Sequence, residues 1–187
     1  DSYQAIILGI VQGLTEFLPI SSSGHLVLVH KLLGEKGDIF FDVVIHFGTM
    51  LAVVVFFRKD LWKMISDISG WKHGSKHFHL FWLILLGSLP VVIIGLFLRD
   101  IIALLFDSLL AVGIGMIFTG VSLFCTRFAK NRKLRLDAKR SLYVGMMQAF
   151  ALVPGVSRSG VTISTALMAG VSRDDAFRFS FMLALPA

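Results

Sequence analysis

The chain has 187 residues, of which 56% are hydrophobic, and it carries a formal net charge of +6. Its mean hydropathy of +0.80 is typical of an integral membrane protein and excludes a soluble domain built around one ordinary core. The single cysteine, Cys125, excludes a disulfide within the chain and a zinc site made from several cysteines. The basic residues lie between apolar stretches, so they favour topology signals and anionic lipid headgroups over nucleic acid.

The first element in chain order is a broken apolar segment at about residues 3–33. Its two arms, 3–18 and 24–33, flank polar and helix-breaking residues that include Glu16 and Pro19. Each arm is short for a full span, which takes about 20 residues. Two short arms joined by such a break predict a re-entrant helical hairpin.

Three apolar spans follow at about residues 43–57, 80–98 and 109–125. The segments after the first and third are rich in Lys and Arg, whereas the segment after the second is poor in them. This alternation favours a cytoplasmic position for the first and third loops. The first of these loops contains a histidine group, which we interpret as a solvated surface and not as a metal site: His73, His77 and His79.

A second broken segment at about residues 142–171 repeats the first, with arms at 142–153 and 160–171. Seven identities share one offset of 136 residues, which indicates a duplicated unit. The identical pairs are Gln12 and Gln148, Ser21 and Ser157, Ser23 and Ser159, Gly24 and Gly160, Gly34 and Gly170, Asp38 and Asp174, and Phe41 and Phe177.

The duplication predicts an all-α fold in a single membrane domain over residues 1–187. Repeat one covers residues 1–136, and repeat two covers 137–187, where it stops early after the start of a span at about 176–187. A hairpin followed by three spans gives an odd number of crossings per repeat. The sequence therefore predicts a polytopic protein with inverted-topology repeats, two re-entrant hairpins and a truncated second repeat.

Ionisable residues within the two broken segments indicate a functional site inside the membrane. A charged side chain at the bilayer centre costs about 2.5–3.5 kcal/mol on insertion scales, so Glu16 and Arg158 are expected to face a cavity. Ser22 and His25 are three residues apart, so His25 is the candidate base for a nucleophilic Ser22 hydroxyl. Glu16 is the third candidate catalytic residue, and its role as metal ligand, orienting group or acid is open.

Serines at the start of each second arm are placed where helix N-caps belong, and helix N-termini bind anions. Arg158 adds forked hydrogen bonds that suit phosphate oxygens. We therefore expect a phosphate-binding group of five residues: Arg158, Ser157, Ser159, Ser21 and Gln12.

Each of these interpretations has a structural alternative. Ser21 and Ser23 more often bond back to backbone carbonyls or hold helices together. His46, in the first span, is more often a packing histidine than a ligand. Glu16 and Arg158 have the alternative of a structural ion pair that joins the two hairpins.

Two motifs resemble the bacterial undecaprenyl-diphosphatase family, also called the bacitracin-resistance family. They are Gln-Gly-Leu-Thr-Glu-Phe-Leu-Pro-Ile-Ser-Ser-Ser-Gly-His at 12–25 and Pro-Gly-Val-Ser-Arg-Ser-Gly-Val-Thr at 154–162. The resemblance continues through Phe-Asp-Val-Val-Ile-His-Phe-Gly at 41–48 and the ending Phe-Ser-Phe-Met-Leu-Ala-Leu-Pro at 179–186. One departure is Gln12, where the family motif often has glutamate.

The resemblance implies a multi-pass enzyme of the bacterial inner membrane that removes the terminal phosphate of undecaprenyl diphosphate. It implies Ser22 as nucleophile, His25 as its partner, Glu16 as an acid of the motif and Arg158 as the phosphate-binding arginine. It also implies a divalent cation, Mg²⁺ or Ca²⁺, for which Glu16 is the tentative ligand. A homodimer is left open, and a transporter or flippase for a polyprenyl phosphate is the alternative function.

Overall fold

The computed structural model describes residues 2–34, 37–106, 108–130 and 132–186 of the chain. Within these ranges the chain is helical and forms no β-strand, so the predicted all-α class is confirmed. The helices are α1 (Ser2–Thr15), α2 (Ser22–Leu32), α3 (Ile39–Phe56), α4 (Arg58–Ser69), α5 (Lys76–Phe106), α6 (Leu109–Cys125), α7 (Ala138–Gln148), α8 (Arg158–Met168) and α9 (Arg173–Leu183), with short 3-10 helices at Thr126–Phe128 and Ala149–Leu152.

Two helical stretches in the described part of the chain are long and apolar enough to cross a membrane, Lys76–Phe106 and Leu109–Phe128. A third span is present if α3 and α4, which bend by 70° at their junction, are counted together. The predicted spans 80–98 and 109–125 lie on α5 and α6. The 31 residues of α5 extend about 46 Å, well beyond the predicted span, because the polar pair Arg99 and Asp100 does not end the helix.

Helix α3 begins earlier than the predicted span at 43–57, because the Asp38 carboxylate caps it by accepting from the amides of Phe40 and Phe41. Helix α4 occupies residues that the sequence analysis assigned to a basic loop. Its apolar residues Leu61 and Met64 lie three apart and pack on the core, whereas its basic residues are exposed: Arg58, Lys59 and Lys63. The predicted loop is therefore irregular only between Ser69 and Lys76, because apolar residues recur at helical spacing through its basic part.

Each predicted broken segment consists of two short helices with a break between them. Helices α1 and α2 have 14 and 11 residues, and α7 and α8 have 11 residues each, so none is long enough to cross a bilayer alone. The predicted last span at 176–187 corresponds to α9, which ends at Leu183, while residue 187 lies outside the described residues.

The core lies where α5, α7, α8 and α9 meet. Phe179 and Leu183 of α9, Val144 of α7 and Ala166 of α8 are at most 1% exposed there. His73 and His79 are exposed, as expected for a solvated surface. His77 is partly buried, with its Nε2 3.5 Å from Oδ1 of Asp60 and its Nδ1 3.7 Å from Oδ2 of Asp67.

Helices α5 and α7 approach closely because each has a glycine at the crossing point, Gly87 in α5 and Gly145 in α7. A Cβ added to Gly145 would lie 2.0 Å from the carbonyl oxygen of Gly87. The Ser141 hydroxyl also donates to the Leu83 carbonyl at 2.5 Å. The two backbones therefore pack directly against each other, which fixes α7 and the loop that follows it.

Gly145→Ala is expected to destabilise the protein by about 1–3 kcal/mol, because the new methyl group forces α7 away from α5. Gly113→Ala in α6 is the matched control, since nothing lies within 4 Å of its added Cβ. The control should be neutral or stabilising by up to about 1 kcal/mol through helix propensity. Thermal unfolding in detergent measures both. Equal stability of the two variants would contradict this packing.

Candidate active site

Glu16 lies at the centre of the site, immediately after α1. Its Oε2 accepts hydrogen bonds from the Ser22 hydroxyl at 2.5 Å and from the Gln12 amide at 3.0 Å. Its Oε1 accepts one from Nη2 of Arg158 at 2.9 Å. The Glu16 side chain is only 14% exposed. A carboxylate so far from solvent needs such partners, and these three contacts satisfy it.

The loop between α1 and α2 directs Ser22 onto Glu16 through an unusual backbone turn. Ser21 has a φ of 70°, in the left-handed region that non-glycine residues seldom adopt. Its hydroxyl accepts from the Gly24 amide at 3.2 Å and so caps α2. Its carbonyl accepts from Nδ1 of His25 at 2.7 Å. These bonds fix the start of α2, where Ser22 is the first helical residue.

The loop before α8 repeats this capping arrangement. The Ser157 hydroxyl accepts from the Gly160 amide at 3.1 Å and lies 3.3 Å from the Ser159 hydroxyl. Ser21 and Ser23 are likewise 3.3 Å apart. The second loop has one residue more after its proline, and there the positive φ of 88° falls on Gly155. With one residue fewer, the first loop makes its turn at Ser21 itself.

The two loops pack directly on each other and on α6. A Cβ on Gly24 would lie 3.1 Å from Cα of Gly155, and one on Gly160 would lie 3.1 Å from the Pro19 carbonyl. Thr119 of α6 accepts from the Ser157 amide at 2.8 Å through its hydroxyl. Small residues at the tips and a polar group on α6 therefore bring the two broken segments together.

Arg158, the first residue of α8, connects the two loops electrostatically. Besides the bond to Glu16, its Nη1 donates to the Ala184 carbonyl at 3.2 Å, just after α9. Its side chain is 35% exposed, so part of the guanidinium remains open for a further partner. The expected meeting of Glu16 and Arg158 is observed, although they are 142 residues apart.

His46 of α3 also lies at this site, which the sequence analysis did not expect. Its Nε2 is 3.9 Å from Oε2 of Glu16, and its Nδ1 is 2.7 Å from the Asp42 carbonyl. Nearby, the Thr49 hydroxyl accepts from the Gln12 amide at 3.3 Å. The signal was present in the sequence, since Asp42, His46 and Thr49 recur at helical spacing in an otherwise apolar span.

Two cavities meet at these side chains. The larger has a volume of about 1080 Å³ and mostly apolar walls, and the smaller has a volume of about 290 Å³. The smaller lies between the N-termini of α2 and α8 and is lined by Ser22, Ser23, Arg158 and Ser159. The residues common to both cavities are Glu16, Ser23, His46, Phe106, Arg158 and Ser159.

A sequence model of the family described as bacitracin resistance protein BacA matches residues 5–187. The chain belongs to this BacA family. It is 44% identical over 192 residues to the undecaprenyl-diphosphatase of Korarchaeum cryptofilum (strain OPF8), covering 98% of this chain and 73% of that protein. It is 42% identical over 190 residues to the undecaprenyl-diphosphatase of Desulforudis audaxviator (strain MP104C), covering 100% of this chain and 72% of that protein. The family suggested by the two motifs is therefore confirmed.

In this BacA family member, the predicted site residues differ in their surroundings. Glu16, Ser21, Ser22, Ser157, Arg158 and Ser159 line the smaller cavity. Ser21 and Ser157 are only 3% exposed and use their hydroxyls as helix caps. Gln12 is fully buried behind Glu16, and His25 bonds to the Ser21 carbonyl. The expected contact of His25 with the Ser22 hydroxyl is thus replaced by one from that hydroxyl to Glu16, because the caps turn the imidazole back along α2.

The fit of a divalent cation to this site depends on Glu16 alone. Among the described residues, no three His, Cys, Asp or Glu side chains are grouped so that they could hold a metal ion. Gln12, which bonds to Glu16, supplies an amide where a second carboxylate would add charge. One carboxylate fits Mg²⁺ held jointly with substrate phosphate oxygens, but it does not fit a Ca²⁺ site enclosed by protein ligands.

Ser21→Gly is expected to leave stability nearly unchanged. Glycine relieves a left-handed conformation that costs roughly 1–2 kcal/mol. It also loses the cap at a cost of a few tenths and adds backbone freedom to the unfolded chain at a cost of about 0.5–1 kcal/mol, so the terms nearly cancel. Ser21→Ala keeps the strain and loses the cap, so it should destabilise by about 1 kcal/mol. Ser157, with a φ of −76°, is the matched control at which glycine relieves no strain. If thermal unfolding shows that Ser21→Gly is no more stable than Ser21→Ala, the backbone at Ser21 is not strained.

Proposed function

We propose that this protein hydrolyses undecaprenyl diphosphate to undecaprenyl phosphate and inorganic phosphate, recycling the lipid carrier for cell-wall synthesis. The observation that carries the proposal is the 2.5 Å hydrogen bond from the Ser22 hydroxyl to Glu16, beside Arg158. A hydroxyl on a carboxylate next to a guanidinium suits phosphoryl transfer. Membership of the BacA family and relatives named undecaprenyl-diphosphatase support the same reaction.

In the proposed first step, Oγ of Ser22 attacks the terminal phosphorus as Glu16 accepts the hydroxyl proton. The new bond joins Oγ to phosphorus, and the bridging P–O bond breaks with its electron pair leaving on undecaprenyl phosphate. Water then attacks the phosphoserine, releases inorganic phosphate and restores the Ser22 hydroxyl. Dividing one displacement into two is the general advantage of a covalent intermediate.

Positive charge at the smaller cavity stabilises the transferring phosphoryl group. Arg158 supplies a guanidinium with further donors available, and its planar fork matches phosphate oxygens. The N-termini of α2 and α8 both open at this cavity, and a helix N-terminus carries about half a positive charge. The apolar walls of the larger cavity suit the prenyl chain next to the diphosphate.

His25 serves this mechanism as a positioning residue. Its Nδ1 donates to the Ser21 carbonyl and so holds the turn that directs Ser22 onto Glu16. A divalent cation, Mg²⁺ in preference to Ca²⁺, would be held by Glu16 and by the diphosphate. When bound, the cation supplies positive charge that offsets the charge of the diphosphate.

The proposed setting is the bacterial inner membrane, with the chain crossing it several times. The repeated caps, the constant offset and the short helices support two re-entrant hairpins related by inverted topology, with repeats at 1–136 and 137–187. This architecture also occurs in transporters, which are the alternative function. Transport requires no hydroxyl hydrogen-bonded to a carboxylate, so the Ser22 contact favours hydrolysis.

Ser22→Ala is expected to lower phosphate release from farnesyl diphosphate by at least about a thousand-fold, because it removes the attacking oxygen. Arg158→Lys should lower kcat by about a hundred-fold, because lysine lacks the fork. Ser66→Ala in α4 is the matched control, since Ser66 is exposed and distant from the cavities. Assays in detergent with Mg²⁺ or with a chelator also test the cation. A fully active Ser22→Ala variant, or lipid movement in vesicles without hydrolysis, would overturn the proposal.

Two substitutions of His25 distinguish the role of Nδ1 from that of Nε2. Asparagine places a donor where Nδ1 lies, so His25→Asn is expected to retain activity within about ten-fold. Glutamine reaches the position of Nε2 but not that of Nδ1, so His25→Gln should lose about a hundred-fold. Steady-state hydrolysis measures both. The reverse order would show that Nε2 takes part in the chemistry and that the positioning role is wrong.

A further inference from the structure

Gln148, the last residue of α7, carries a side-chain amide that the site described above does not use. The residue is 1% exposed, and neither its Nε2 nor its Oε1 has a hydrogen-bond partner among the described residues. Buried polar groups nearly always have partners, so this exception needs a physical reason. A buried amide without partners destabilises the folded protein, which favours a partner supplied from outside the chain.

The Gln148 side chain lies at the wall of the smaller cavity, which Ser22 and Arg158 also line. The volume of this cavity is about 290 Å³. A single buried water needs roughly 10–15 Å³, so the space suits a larger ligand. The neighbouring residues of this wall, Ala151 and Leu152, are apolar and offer the amide no side-chain partner.

The first repeat shows which kind of partner this amide accepts. Gln12 lies 136 residues before Gln148, and its amide donates to the Glu16 carboxylate at 3.0 Å. Counted from the glutamine, the position of Glu16 falls on Leu152 in the second repeat. Counted from the proline that follows, it falls on Ala151. Both are apolar, so an anionic oxygen of a ligand is the group that can replace the carboxylate at Gln148.

The charge at the smaller cavity also selects an anionic ligand. The N-termini of α2 and α8 open there, and Arg158 adds its guanidinium. The Glu16 carboxylate already accepts hydrogen bonds from Ser22, Gln12 and Arg158, which offset its charge. A side-chain amide adds a further donor without adding charge, so it can hold an anion that must afterwards leave.

We propose that Gln148 binds the terminal phosphate of the substrate, and then the inorganic phosphate product, through a hydrogen bond from Nε2 to a phosphate oxygen. This inference rests on the proposed phosphatase function, which brings the phosphate to the cavity. Rotation about the last side-chain bond, which is soft in glutamine, turns the amide towards the ligand. Gln148 forms no bond to phosphorus and takes no proton.

Gln148→Met tests this contact, because methionine has nearly the length of glutamine and lacks the amide. Inorganic phosphate is the probe, and its dissociation constant is measured by titration calorimetry in detergent. This constant should rise by about ten-fold or more, because a hydrogen bond to a charged group is lost. KM for farnesyl diphosphate should rise equally, whereas kcat should stay within about three-fold, since the bond is present both before and during phosphoryl transfer.

Stability distinguishes a binding role from a structural one. Because the Gln148 amide has no partner among the described residues, Gln148→Met should be at least as stable as wild type in thermal unfolding without phosphate. Gln12→Met removes hydrogen bonds to Glu16 and Thr49 and should be less stable. Ser164→Ala in α8 is the matched control. The Ser164 hydroxyl is likewise buried without a partner in the described part of the chain, but it lines neither cavity, so phosphate affinity and KM should not change.

Two results would overturn the inference. One is an unchanged KM in Gln148→Met, whatever the phosphate affinity. The other is a loss of stability in Gln148→Met as large as that in Gln12→Met, because the amide would then have a structural partner such as a buried water. A wild type that binds phosphate through Gln148 but releases none from farnesyl diphosphate would instead refute the proposed function.

Discussion

The contact between Glu16 and Arg158 is the interaction on which the rest of the site depends. It joins residues 142 apart, one after α1 and one at the start of α8, at 2.9 Å. Burying either charge among apolar helices without the other would be strongly destabilising. Their pairing therefore selects the arrangement in which both loops lie at one place, and it leaves Ser22 hydrogen-bonded to the same carboxylate.

Close packing makes that arrangement possible. The loops touch where Gly24 approaches Gly155, and a Cβ on Gly155 would instead clash with the Val112 carbonyl of α6. Thr119 of α6 holds the second loop by its backbone, and the glycine contact between α5 and α7 fixes the helix before that loop. Small residues thus determine the distance between the charges, and the charges determine what chemistry is possible at that distance.

The sequence predicted the helical class, the broken segments, the family and the meeting of Glu16 with Arg158, because charges within apolar segments have few places to lie. It did not predict the partner of Ser22. Residue spacing suggested His25, but the left-handed turn at Ser21 decides which way the ring points, and no periodicity encodes that turn. The polar stripe of Asp42, His46 and Thr49 was a signal for His46, but how close His46 comes to Glu16 depends on how α3 packs against α1. Inverted repeats remain a prediction from the offset and the shared caps.

A double-mutant cycle on stability tests the central contact most directly, using Glu16→Gln, Arg158→Gln and the double variant in thermal unfolding. Each single change leaves one charge without its partner and should destabilise, by up to about 3–5 kcal/mol. The double variant removes both charges and leaves two neutral side-chain amides in place of the ion pair. It should therefore be at least as stable as either single variant, with a coupling of about 1–3 kcal/mol. A double variant whose loss equals the sum of the single losses would contradict the ion pair.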